Sequence, residues 1–63
     1  MKNEIARLIA KRDNISFSEA CAVVEDCANL IEDALERGNY QACEDILMEE
    51  LSLEPDYLDS FFF

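Results

Sequence analysis

Carboxylates dominate the chemistry open to this chain. It holds fifteen Asp and Glu against five Lys and Arg, with three cysteines and no histidine. Cation binding has the most tempting spacing, because Asp33, Gly38 and Glu44 fall at positions 1, 6 and 12 of an EF-hand register. Positions 3 and 5 of that register would be Leu35 and Arg37, which offer no oxygen where the loop needs carboxylates or amides. The same stretch reads more simply as a helix end, a glycine cap and a new helix. Calcium is rejected on that ground.

Paired carboxylates also perform general acid–base work when a pocket pushes their pKa values apart. A chain of 63 residues encloses such a pocket with difficulty, and it offers no P-loop and no nucleophile elbow. No enzyme is expected. Cys21, Cys27 and Cys43 are odd in number and no signal-peptide pattern precedes them, which argues for a reducing, cytoplasmic setting. Cys21 and Cys27 point apart, about 240° around a common helix at 3.6 residues per turn. Without histidine or a C-x-x-C pair, a zinc site has almost no ligands to draw on. The thiols are therefore expected as small core residues, with no cofactor and no metal.

The charge is unevenly spread. Met1 to Asn14 holds Lys2, Arg7, Lys11 and Arg12 against Glu4 and Asp13, a net of +2. The remainder sets thirteen carboxylates against Arg37 alone, a net of −12, which accounts for the overall −10. Such a surface repels nucleic acid and anionic membrane and suits a basic protein groove. No apolar run approaches the ~20 residues of a membrane span.

These groups must be positioned by helices. One glycine, one proline and few β-branched residues predict an all-α single domain over 1–63, with three main helices and a short C-terminal one. Met1, Ile5, Leu8 and Ile9 share one side of a first helix that Asp13-Asn14 ends. Ser16-Phe17-Ser18-Glu19 reads as a capping box opening a second helix, and Gly38 is its expected stop. Asn39 caps a third helix from Tyr40 to about Leu51. Pro55 opens the last, which runs to about Phe62 with Glu54 as a poor cap.

Stepping about 100° per residue around the second helix orders its apolar side. The sequence is Leu30, Val23, Ala34, Cys27, Ala20, Ile31, Val24, Phe17 with Leu35, Ala28 and Cys21. That arc fills about half the circumference, wider than the ~100° of an ordinary surface helix. It can meet two neighbours at once, in a bundle or across a homodimer, and a dimer is the expected source of extra stability for so small a fold.

Glu25, Asp26, Glu32, Asp33 and Glu36 fill the opposite half, with no cation among them before Arg37. Like charges at i,i+4, such as Glu32 and Glu36, cost a few tenths of a kcal/mol each, and carboxylates are disfavoured near a helix C-terminus. Glu44, Asp45 and Glu49 extend the acidity to the third helix. Glu50 falls within that helix's apolar arc and is expected to meet a basic side chain of the first. These eight carboxylates, from Glu25 to Glu49, are the candidate partner-binding residues. Tyr57, Leu58 and Phe61 are expected to close the core. Phe61, Phe62 and Phe63 form an alternative binding patch if they remain exposed.

Gly38-Asn39-Tyr40 and Ala42-Cys43-Glu44-Asp45-Ile46-Leu47, followed by Glu50-Leu51-Ser52-Leu53-Glu54-Pro55-Asp56-Tyr57-Leu58, resemble small acidic helical proteins of bacteriophages and mobile elements. The likeness covers about the last third of the chain and departs at Ser52, where glycine would be the usual stop. It implies a mobile-element origin and no defined activity. The leading expectation is a non-enzymatic inhibitor that imitates nucleic acid and occupies a basic, nucleic-acid-binding surface of a host defence enzyme. The alternatives are a small adaptor or assembly protein using the apolar seam and aromatic tail, and a toxin-neutralising partner.

Overall fold

The structure, a computed structural model, describes residues 2–62, with side chains described for all of these but Lys2, Ser60 and Phe62. Expectations placed on Met1, on the Phe62 side chain and on Phe63 lie outside the described residues. The described chain is all-α. Helix α1 spans Lys2–Asp13, α2 Phe17–Glu36 and α3 Tyr40–Leu51; a single 3₁₀ turn at Pro55–Leu58 then leads into α4, Asp59–Phe62.

Local chemistry sets each boundary. Asn14 takes the left-handed conformation at φ 56°, and the Ile15 amide reaches back to the Ala10 carbonyl at 3.1 Å. Ser16 caps α2 by accepting from the Glu19 amide at 3.0 Å. At the far end Gly38, φ 72°, lets its own amide bond to Leu35 and that of Asn39 to Ala34, the paired bonds of a Schellman stop. Asn39 then caps α3 by accepting from the Ala42 amide at 3.1 Å. Ser52, at φ 55°, ends α3 where glycine was the expected residue, with its amide on the Met48 carbonyl at 2.9 Å. Glu54 provides no side-chain cap, and the chain after Pro55 starts as a 3₁₀ turn where one continuous helix was expected.

The middle of the α2 arc is covered within one chain. Ala20, Val24, Cys27, Ile31 and Ala34 are buried, and α1 and α3 both pack along them. Ile5, Ala6 and Ile9 meet them from α1, while Cys43, Leu47 and Leu51 do so from α3. Leu53 and Leu58 complete the core, with Tyr57 and Phe61 packed against it. Alanines at 20 and 34, both fully buried, keep the backbones close. At ~1.5 Å per residue, α2 sets the long dimension of the 33 × 18 × 17 Å molecule. None of the buried residues is polar or charged among those described.

Two helix stops with the same backbone sign and opposite residue types make a matched test. A Cβ at Gly38 would meet nothing within 4 Å, so Gly38→Ala should destabilise through backbone strain alone, by about 1 kcal/mol. Ser52→Gly should stabilise by about 1 kcal/mol, reduced in part by the freedom glycine adds to the unfolded chain. Urea midpoints of the two variants moving in opposite directions is the expected result.

Candidate protein-interaction surface

The cap at Ser16 fixes where α2 begins and hence which residues face outward. Glu25, Asp26, Glu32, Asp33 and Glu36 all lie exposed, on the side away from the buried row of Ala20, Val24, Cys27 and Ile31. The structure brings these five together on one helix. Asp33, however, is engaged: Arg37 donates from Nη1 to its Oδ2, one turn along the helix. Glu25 marks the boundary with α1, beside a cleft of about 50 Å³ that it lines with Asn3, Ala6, Cys21 and Val24.

On α3 the buried row is Cys43, Leu47 and Leu51, spaced by four. Asp45 and Glu49 lie exposed, and Glu44 is half-buried. The Gln41 amide donates to Asp45 at 3.3 Å. Helices α2 and α3 run antiparallel: the Cys43 thiol donates to the Ile31 carbonyl at 3.4 Å, and Glu50 lies close enough to Cys27 to act on its thiol. The acids thus occupy two neighbouring helices, densest along α2. Asp33, Gly38 and Glu44 are the last turn of α2, its stop and the first half of α3; among the described residues no group of three or more His, Cys, Asp or Glu is placed to hold a metal ion.

One expectation is corrected. Among the described residues no ion pair joins Glu50 to a cation of α1, and Arg12 is spent elsewhere. Its Nε and Nη2 donate to Asp13 at 2.9 and 3.1 Å, and its Nη1 donates to the Leu51 carbonyl at 2.7 Å. That last bond satisfies a carbonyl at the end of α3, where a cation also suits the helix dipole. The same contacts hold the Asp13 carboxyl below its usual range and raise Arg12 further. Phe61 packs half-buried against the core, the closing role expected of it with Tyr57 and Leu58.

Some residues assigned to the apolar arc emerge. Val23 is 41% and Leu30 48% exposed at one edge of it, Phe17 and Leu35 are exposed at the two ends of the helix, and Leu8 of α1 is exposed too. In the projection Val23 and Leu30 stand at the limit of the arc, next to Glu19 and Asp26. That was the signal available for their exposure. Leu8 lines an open groove of about 480 Å³ with Lys11, Arg12, Ser52, Leu53, Glu54 and Tyr57. The groove mixes charges of both signs, and Arg12 within it is already bonded.

No family model, curated protein or solved structure matches this chain.

The thiols respond to burial. Desolvation, reinforced by the Glu50 carboxylate, pushes the Cys27 thiol up to about 11. Cys43 is also raised, chiefly by burial. A thiol whose folded pKa exceeds its unfolded value stabilises fully below the unfolded value and loses that contribution through the folded one. For Cys27 the window runs from about 9.0 to about 11. Across it the unfolded chain binds fewer protons, so stability falls as pH rises. Urea midpoints measured from pH 8 to pH 11 should fall less steeply for Cys27→Ala than for the unsubstituted protein, on top of a constant loss from the cavity.

Proposed function

We propose that the protein is a non-enzymatic binding protein whose acidic α2 face docks on a basic protein surface. The reading is carried by one observation: Glu25, Asp26, Glu32 and Glu36 stand exposed on the outward half of α2 with no cation among them, and Arg37 is held by Asp33 at its end. Such a row works against its own helix, since Glu32 and Glu36 repel at i,i+4 and Glu36 sits at the negative pole of the dipole. A solubilising surface gains nothing from that placement; a charge-complementary partner does.

The specific form proposed is competitive inhibition of a nucleic-acid-binding protein. Carboxylates at i,i+4 lie ~6 Å apart, on the scale of phosphates along one strand. A basic groove that accepts phosphates would accept this row, and the inhibitor would block nucleic acid without touching it. A bacteriophage or mobile-element inhibitor of a host defence enzyme, acting in the bacterial cytoplasm, fits that role. A toxin-neutralising partner would use the same face. An adaptor working through the aromatic tail is less well supported, because Phe61 is committed to the core.

Four substitutions test the reading: Glu25→Gln, Asp26→Asn, Glu32→Gln and Glu36→Gln together. All four side chains are exposed, so the variant should melt at the same temperature or higher. Immobilised protein should capture basic proteins from a bacterial lysate and release them as salt rises. The neutralised variant should capture them several-fold less. Equal capture by a folded, neutralised variant would overturn the proposal.

A further inference from the structure

We propose that residues 53–62 form an exchangeable arm, and that a second copy of this chain takes the arm's seat with its own, giving a dimer by exchange. Arm exchange is independent of the acidic face proposed above, because the arm packs chiefly against α3 and α1. Ser52, between α3 and the arm, is held in the left-handed conformation at φ 55° and ψ 39°. That conformation crowds the Cβ of an L-residue against its own backbone. Glu54 is already extended, at φ −70° and ψ 152°, the region that a residue before proline prefers. Rotation at Ser52 into the extended region therefore straightens the connection and swings the arm off its own chain. The hydrogen bond lost runs from the Leu53 amide to the Leu47 carbonyl, and at 3.5 Å it is a long one.

Little that is directional holds the arm in place. Among the described residues no hydrogen bond or ion pair joins it to α1 or α2. Glu54, Asp56 and Asp59 stand exposed and make no described ion pair with Arg7 or Lys11 of α1. Leu58 is buried, with Tyr57 and Phe61 half-buried, so the arm is seated by apolar contact. Its fit against α1 is incomplete. The groove of about 480 Å³ and a neighbouring cleft of about 180 Å³ run between the two, sharing Leu8 and Tyr57, and Leu8 stays 39% exposed. A short strained connection and a segment seated by apolar contacts are conditions under which identical segments exchange. The arm itself fixes the occupant: a second copy's arm fills the vacated seat through the same side chains, Leu58 and Phe61 entering the same core. The two states then differ chiefly in the relaxed Ser52 of the dimer and in the freedom two chains lose on association. Two chains of net charge −10 also repel, so added salt favours the dimer. Docking through the acidic face has the opposite response to salt.

Protein refolded from urea at high concentration and sized by light scattering provides the test. A dimer is expected, and its fraction should grow with concentration and with salt. When equal parts of ¹³C-labelled and unlabelled chain are refolded together, filtered NOE spectra should connect the Leu58 methyls of one copy to α3 of the other. The Phe61 ring should likewise reach α1 across the copies. Ser52→Gly relaxes the closed turn by residue type, and a short Gly-Ser insertion after Leu53 relaxes it by length. Each should lower the dimer fraction several-fold while circular dichroism shows the helices retained. Monomer alone after refolding, at every concentration and salt, would overturn the proposal. So would a dimer that forms equally in Ser52→Gly and in the lengthened chain, or one without arm contacts between its copies. A dimer lost instead in Val23→Ala with Leu30→Ala belongs to the exposed edge of α2 and overturns arm exchange too.

Discussion

A chain with a net charge of −10 keeps a compact fold only if its apolar contacts outweigh its self-repulsion, and here those contacts converge on one side of α2. Everything else in the fold answers to that side. Helices α1 and α3 are both short, 12 residues each, and neither has a second apolar surface large enough to hold it alone. Each is placed by the α2 residues it covers. The C-terminal segment then lies against α3 and α1, where Leu58 and Phe61 add to the same core. Because the described core contains no buried polar group, its cohesion comes from packing and the hydrophobic effect. A cut to Ile31 or Leu47, both at 1% exposure or less, would therefore be felt by all three main helices.

The polar contacts that matter lie at the ends of these helices. Arg12 illustrates this: its guanidinium joins the last turn of α1 to the last carbonyl of α3, so two helices that both pack on α2 are also fastened to each other. It does so where a cation is useful to the fold, since both helix ends there present carbonyls. The remaining described cations do less for the core. Arg37 is drawn into a local pair with Asp33, and Lys11 lines an open groove. Among the described cations of α1, Arg12 carries the structural role, whereas the acidic charge of α2 contributes nothing to the described core.

How legible this was depended on how local each determinant is. Ser16, Gly38 and Asn39 act within five residues of themselves, and the caps they form are the ones their types predict. The inward row of α2 is equally local, because periodicity alone defines it. The width of the seam was legible too, but its meaning was not, since an intrachain bundle and a dimer produce the same arc. Departures arise where a residue's fate depends on a neighbour distant in sequence. Arg12 took the Leu51 carbonyl and Asp13, and so was not available to Glu50. Val23 and Leu30 lie past the reach of α3, although on the projection they continue the buried row. Ser52 accepted a backbone conformation that its type disfavours, because the turn into Leu53 requires it.

The candidate surface shows the same division between local and distant causes. Five carboxylates on one side of α2 could be read from spacing alone, and the structure leaves all five exposed. Their energetic setting could not be read, because it depends on which cation each one meets. Only Asp33 among them has a described ion pair. The others retain their mutual repulsion, and the fold tolerates it because helix α2 is held from its opposite side. That arrangement separates two duties along one helix. Stability resides on the inward half, where Ala20, Cys27 and Ile31 cannot change without cost. The outward half is free of packing constraints, so its sequence could vary without loss of the fold. A single-sign face stands there against local helix preference, and the proposed basic partner would supply the charge complementarity that the fold itself does not.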